Sequence, residues 1–356
     1  MSVATFKPSL ADWYKALRSQ DLETSRKIKQ AFDREPSHLD DMTARNFHQL
    51  LNLRYCILEE DFETAASMMS LLNVNRFETE LLNYYAYFFK GLYHHYVKQY
   101  DQAERHFRLA EKQLTNIYDP IEQAEFYYKF ALTYYQTRQS VLSINYAQKA
   151  LDRFHWHDSQ ERLADCLMLL GINYTDVKQF GVAEENLHEA TDYARCLSMS
   201  KLISRIHHNL GFLYAEQDMS KAAIKYLTDS LEENTDQPYV QTYYLLAREH
   251  FKLEDDQKAN DYIDEGIKWC KAFGEIEYKV HFQLLKETFN PTHQFEKIFK
   301  NGVNYFIDNQ MWNYIKEYAE TLADFYRKQD LFEPATKYYH IAVQAQCKNT
   351  KEACLK

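Results

Sequence analysis

Apolar positions along the chain recur in steps of three and four, the spacing of amphipathic helices. In residues 1–75 this spacing predicts three helices: roughly 9–19 (SLADWYKALRS), 22–33 (LETSRKIKQAFD), and a longer one from about Leu39 to Met69. Phe47, Leu50, Leu51, Arg54, Tyr55 and Leu58 share one face of the third helix. Asp40 and Asp41 near its start suit the positive end of a helix dipole. A small three-helix bundle is the economical arrangement. No Pro/Gly/Ser-rich linker follows, so a short turn or a continuous helix around 70–82 is expected to join the bundle to the rest.

Beyond residue 75 a second, longer beat appears when the chain is aligned to itself. A small residue is followed twelve positions later by another, and seven later by a third. The triplets are Gly91/Ala103/Ala110, Ala131/Ser143/Ala150, Gly171/Ala183/Ala190 and Gly211/Ala223/Ser230, each copy 40 residues after the last. Ala247/Ala259/Gly266 and Ala323/Ala335/Ala342 follow, and residues 280–315 leave room for one degenerate copy. Two antiparallel helices approach closely where small side chains meet, and large neighbours such as Phe89, Tyr93, Phe107, Tyr214 and Leu227 fill the groove. Three of the seven glycines occupy the first small position. Glycine costs about 1 kcal/mol in a helix interior, so a steric demand is expected there. The spacing matches the tetratricopeptide pattern, with loops longer than its usual period of about 34 residues. The predicted fold is all-α: an N-terminal three-helix bundle over 1–75, then a tetratricopeptide-repeat superhelix of about seven helix pairs over 76–356. Such an array presents a long groove suited to a peptide or a partner's helix.

Composition narrows the picture. Seven Gly and six Pro in 356 residues leave few sites for tight β-turns, and aromatics reach 15%, with 29 Tyr and 22 Phe. The net charge of −10 speaks against nucleic acid as a direct partner, and residues 1–75 carry nine Lys/Arg against eleven Asp/Glu. The start has no apolar core of a secretory signal, and no run approaches the roughly 18 apolar residues of a membrane span. Six scattered cysteines (Cys56, Cys166, Cys196, Cys270, Cys347, Cys354) without a C-x-x-C pair fit free thiols in a cytoplasmic setting.

Conventional active-site motifs are missing. The glycine spacing excludes dinucleotide, P-loop and nucleophile-elbow signatures. Adjacent histidines at His94-His95 and His207-His208 point about 100° apart on a helix. With no carboxylate partner at ligand spacing, neither metal nor cofactor is expected. Two polar positions on consecutive repeats stand out, Asp176 in NYTD and Asn209 in HHNLG. Each is read either as lining the groove or as capping and bridging neighbouring helices.

The segments NYYAYFFKGLYHHYVKQYDQAERHF (83–107), IEQAEFYYKFALTYYQTRQSVLSINYAQKAL (121–151), DWYKALR and NLRYCIL resemble the Rap family of Bacillus quorum-sensing regulators, over nearly the whole chain. The resemblance implies a cytoplasmic regulator that binds and inhibits a response regulator or transcriptional regulator of sporulation, competence or a mobile element. A short re-imported signalling peptide would bind the repeats and control it. It implies peptide contacts from Asp176 and Asn209, 33 residues apart, and partner contacts from the third helix at Asp41, Met42, Arg45 and Gln49. Some family members are aspartyl-phosphate phosphatases that carry a glutamine twelve residues before the arginine corresponding to Arg54. Here that position is Met42. A non-catalytic binder is the expectation, with Gln49, two turns along the same face, as the substitute should the chain be a phosphatase.

Overall fold

The computed structural model describes residues 9–34, 41–72, 77, 79–157 and 159–354, with side chains through 348. Among the described residues there are eighteen α-helices and no strand, and the chain divides into two compact units, 1–159 and 160–356. The first unit holds α1 (Leu10–Arg18), α2 (Leu22–Arg34), α3 (Met42–Leu58), α4 (Phe62–Leu71), α5 (Glu80–Tyr96), α6 (Tyr100–Glu111), α7 (Pro120–Gln136) and α8 (Ser140–His155). The second holds α9 (Gln160–Asp176), α10 (Phe180–Cys196), α11 (Ser200–Ala215), α12 (Ser220–Glu233), α13 (Val240–Lys252), α14 (Asp256–Phe273), α15 (Ile276–Phe289), α16 (Phe295–Asp308), α17 (Trp312–Lys328) and α18 (Phe332–Cys354).

α1, α2 and α3 pack on one another, but the single long third helix expected over 39–69 is two helices. Its expected start at Leu39 and Asp40 lies outside the described residues. The chain breaks after Leu58, where Glu60 turns left-handed (φ 60°), and Asp61 then caps α4 by accepting from the Thr64 amide at 3.1 Å. An aspartate whose carboxylate satisfies a free helix-start amide favours a new helix over a continued one. α4 folds back on α3, so α3 is packed on more than the one predicted face: Leu53, Cys56 and Ile57 are buried along with Leu50, Leu51 and Arg54. α4 ends at Leu71 and α5 begins at Glu80, which excludes a continuous helix across 70–82.

One turn closes most of the hairpins. Gln20, Glu60, Lys98 and Arg138 in the first unit, and Lys178, Asp218, Glu254, Gln310 and Asp330 in the second, all sit near φ +60°. In each of the first four the next amide reaches back to a carbonyl five residues earlier, as in Gln99 N to His94 O at 2.8 Å and Asp61 N to Cys56 O at 2.9 Å. This satisfies carbonyls that a helix end leaves orphaned. α15 and α16 are instead joined through Asn290–Gln294, where Pro291 cannot continue a helix and buried Glu287 accepts from the Thr292 amide and hydroxyl at 2.8 Å.

The small-residue register is steric. A Cβ on Gly91 would sit 2.6 Å from the Phe107 ring, one on Gly171 2.5 Å from Leu187, and one on Gly211 would press still closer on Leu227. Each facing residue lies sixteen positions on. Where the first position is Ala131, the residue in that register is Ala147, and both are fully buried. In the first unit the space between helices is filled by rings: Trp13, Tyr84, Phe89, Phe107, Phe126, Phe130, Tyr134 and Phe154 are fully buried.

Candidate functional site

Asp176 is the last residue of α9, half-buried, two residues before the left-handed Lys178. One turn earlier, Asn173 is fully buried and spends its amide on the Leu169 carbonyl at 2.7 Å. Asn209 is half-buried within α11, and its side chain makes no hydrogen bond among the described residues. Both expected residues therefore lie in the second unit, on the first helices of consecutive pairs.

Polar pairs tie α11 to its neighbours close to Asn209 in sequence. One turn back on α11, the Arg205 Nη2 lies 3.5 Å from Asp165 Oδ1 on α9, whose other oxygen accepts from Arg162 Nη1 at 3.1 Å. Beside it, His208 Nδ1 pairs with the Thr242 hydroxyl on α13 at 2.9 Å. Desolvation pushes His208 down to about 4, so it is neutral at physiological pH. His208 is thus a neutral imidazole paired with a hydroxyl, while Asn209 has no side-chain hydrogen bond among the described residues. The motif reading missed Asp165, Arg205 and Thr242. Asp165 and Arg205 are 40 residues apart, so the repeat register alone brings them face to face.

The second group lies at the start of α3. Asp41 is its N-cap and accepts from the Ala44 amide at 2.6 Å. Met42 is 64% exposed, Arg45 is exposed and Gln49 is half-buried. Met42 and Gln49 are seven residues apart and share a face. Further along, Arg54 is buried, with Nη1 lacking a hydrogen-bond partner among the described residues. Of the histidines, His94 stacks on His106 at 5.2 Å, and His106 is pushed down to about 4, chiefly by desolvation. Among the described residues no group of three or more His, Cys, Asp or Glu is placed to hold a metal ion. No described helix is long and apolar enough to cross a membrane.

These features define an all-helical protein of tetratricopeptide type, and residues 204–237 match the tetratricopeptide repeat model. Similarity to known proteins runs further than that one repeat. The chain is 27% identical to regulatory protein RapG of Bacillus subtilis (strain 168), over 95% of its length and 94% of that protein's. It is 26% identical to response regulator aspartate phosphatase I of the same organism, over 96% and 90%. A solved Rap protein complexed with competence and sporulation factor superposes with a TM-score of 0.79 at 24% identity, covering 96% of this chain and 98% of that one. Over nearly its whole length the chain is similar to Rap proteins in sequence and in fold.

Proposed function

We propose that the chain is a cytoplasmic, peptide-controlled regulator. The N-terminal helices, residues 1–75, bind a response regulator or other transcriptional regulator through Asp41, Met42, Arg45 and Gln49. The repeats, residues 76–356, take a short signalling peptide that switches this binding. Asp176 and Asn209 hold the peptide. The observation that carries the reading is Asn209: a half-buried amide with donors and an acceptor, uncommitted among the described residues, fits an extended peptide main chain. Asn209→Ala should weaken peptide binding by about 1–3 kcal/mol in titration calorimetry, with the melting temperature unchanged. Unaltered affinity with a large drop in melting temperature would assign Asn209 to the scaffold instead.

A second reading is an aspartyl-phosphate phosphatase, the activity in the name of one relative. An amide suits the task of lining water up behind phosphorus, whereas the thioether of exposed Met42 is at best a weak acceptor. The chain should therefore bind its regulator without speeding loss of the phosphoryl group. Decay of labelled phospho-regulator, with the chain at substoichiometric amount, measures this. Acceleration would sink the non-catalytic reading, and Gln49→Ala would then show whether that amide had taken over.

A further inference from the structure

Between α1 and α7 lies a buried carboxylate. Glu122, in the first turn of α7, is 1% exposed. The Tyr14 hydroxyl, from α1, donates to its Oε2, and the Tyr84 hydroxyl, from α5, donates to its Oε1 at 2.9 Å. Arg18 of α1 lies 3.5 Å from the same carboxylate but is closer, at 2.6 Å, to Asp119, the N-cap of α7. Tyr14 and Arg18 are more than a hundred residues away in sequence, so this cluster ties the first helix of the chain to the array.

We propose that the Glu122 carboxylate is a proton-operated latch that fixes α1 to the start of α7. Among the described residues, the titratable groups facing it are Tyr14 and Arg18 from α1, Tyr84 and Tyr85 from α5, Glu125 from α7 and Asp119 at its N-cap. α3, packed against α1 and α5, brings the uncharged Phe47 ring beside Tyr14 and Tyr85. The local cation is shared: Arg18 is drawn more closely to Asp119, so an ionised Glu122 would be buried with two hydroxyl donors and part of a guanidinium 3.5 Å away. Burial outweighs those partners and raises its pKa from 4.5 to about 7.

With α1 undocked, Glu122 meets water and returns to the ordinary carboxylate range, so undocking releases a proton between pH 4.5 and about 7. The latch is tight when protonated. It loosens as pH rises through that window, and docking weakens by roughly twentyfold between pH 5.5 and 7.5.

Amide hydrogen exchange on the full chain, corrected for the intrinsic pH dependence of exchange, tests this at both pH values. In wild type, protection of residues 10–18 and 119–126 should fall about twentyfold from pH 5.5 to 7.5, while α17 stays constant. Glu122→Gln keeps the shape and hydrogen-bonding capacity without the charge, and should hold high protection at both pH values. If that variant does not fold, Tyr14→Phe serves. Losing a donor that favours the ionised form should move the loss of protection to higher pH. Protection of α1 that tracks α17, or the same pH dependence in Glu122→Gln, would overturn the latch. The measurement uses neither peptide nor regulator, so its outcome is independent of the proposed function.

Discussion

At the scale of single residues, the clearest physics is the size limit where two helices of a pair touch. Gly181 and Gly211 are both helical glycines, but a Cβ on Gly181 would meet nothing within 4 Å, whereas one on Gly211 would press into Leu227. Gly181→Ala should therefore gain about 0.5–1 kcal/mol, the usual difference in helix propensity. Gly211→Ala should lose about 1–3 kcal/mol through overpacking, despite the same gain in propensity. Opposite shifts in chemical denaturation midpoint are the expected result. Two shifts of the same sign would mean the register is misplaced. This size rule was legible in the sequence because it acts on residue identity: Gly, Ala or Ser stands at every small position of the six repeat copies. The uncommitted state of Asn209 was not legible, because it depends on what neighbouring helices do with their own polar groups. The Asp165–Arg205 pair lay between these cases, readable once the 40-residue register is applied to charges as well as to small residues.

At the scale of the element, the hairpin turn explains where the sequence reading erred. A left-handed corner is usually announced by Gly or Asn, but these corners are Gln, Glu, Lys, Arg and Asp. Without glycine the break between α3 and α4 was invisible, and the two helices read as one. The same chemistry closes α1–α2 at Gln20 and α3–α4 at Glu60, 40 residues apart, and fully buried Ser25 and Ala65 each stand five positions after their corner, as Ala103 and Ser143 do after theirs. The N-terminal hairpins thus share local rules with the repeats, which their large residues at the first small position (Trp13 and Leu53) concealed. A non-glycine residue in this conformation stores about 1–3 kcal/mol of strain. Lys178→Gly should relieve it at an unfolded-state entropy cost of about 0.5–1 kcal/mol. The net gain, about 1 kcal/mol, should be seen as a higher melting temperature. A lower one would mean that the lysine side chain contributes more than the strain costs.

At the scale of the whole molecule, the corners make the chain a string of interchangeable modules. Lys178 and Asp218 are the same corner one period apart. Excising Gln179–Asp218 would splice one corner onto the next, passing from Lys178 directly to Met219. Gly171, which now faces Leu187, would instead face Leu227, an identical side chain in the identical register. Stability in such arrays is close to a sum of units and nearest-neighbour interfaces, so the shortened chain should fold cooperatively with a modestly lower melting temperature. It would keep Asp176 and lose Asn209, separating folding from the proposed peptide recognition in one protein. Genes coding for such modules can lengthen or shorten by whole periods through unequal recombination without breaking the product, so variation in repeat number is open to this lineage wherever a ligand of different length must be accommodated.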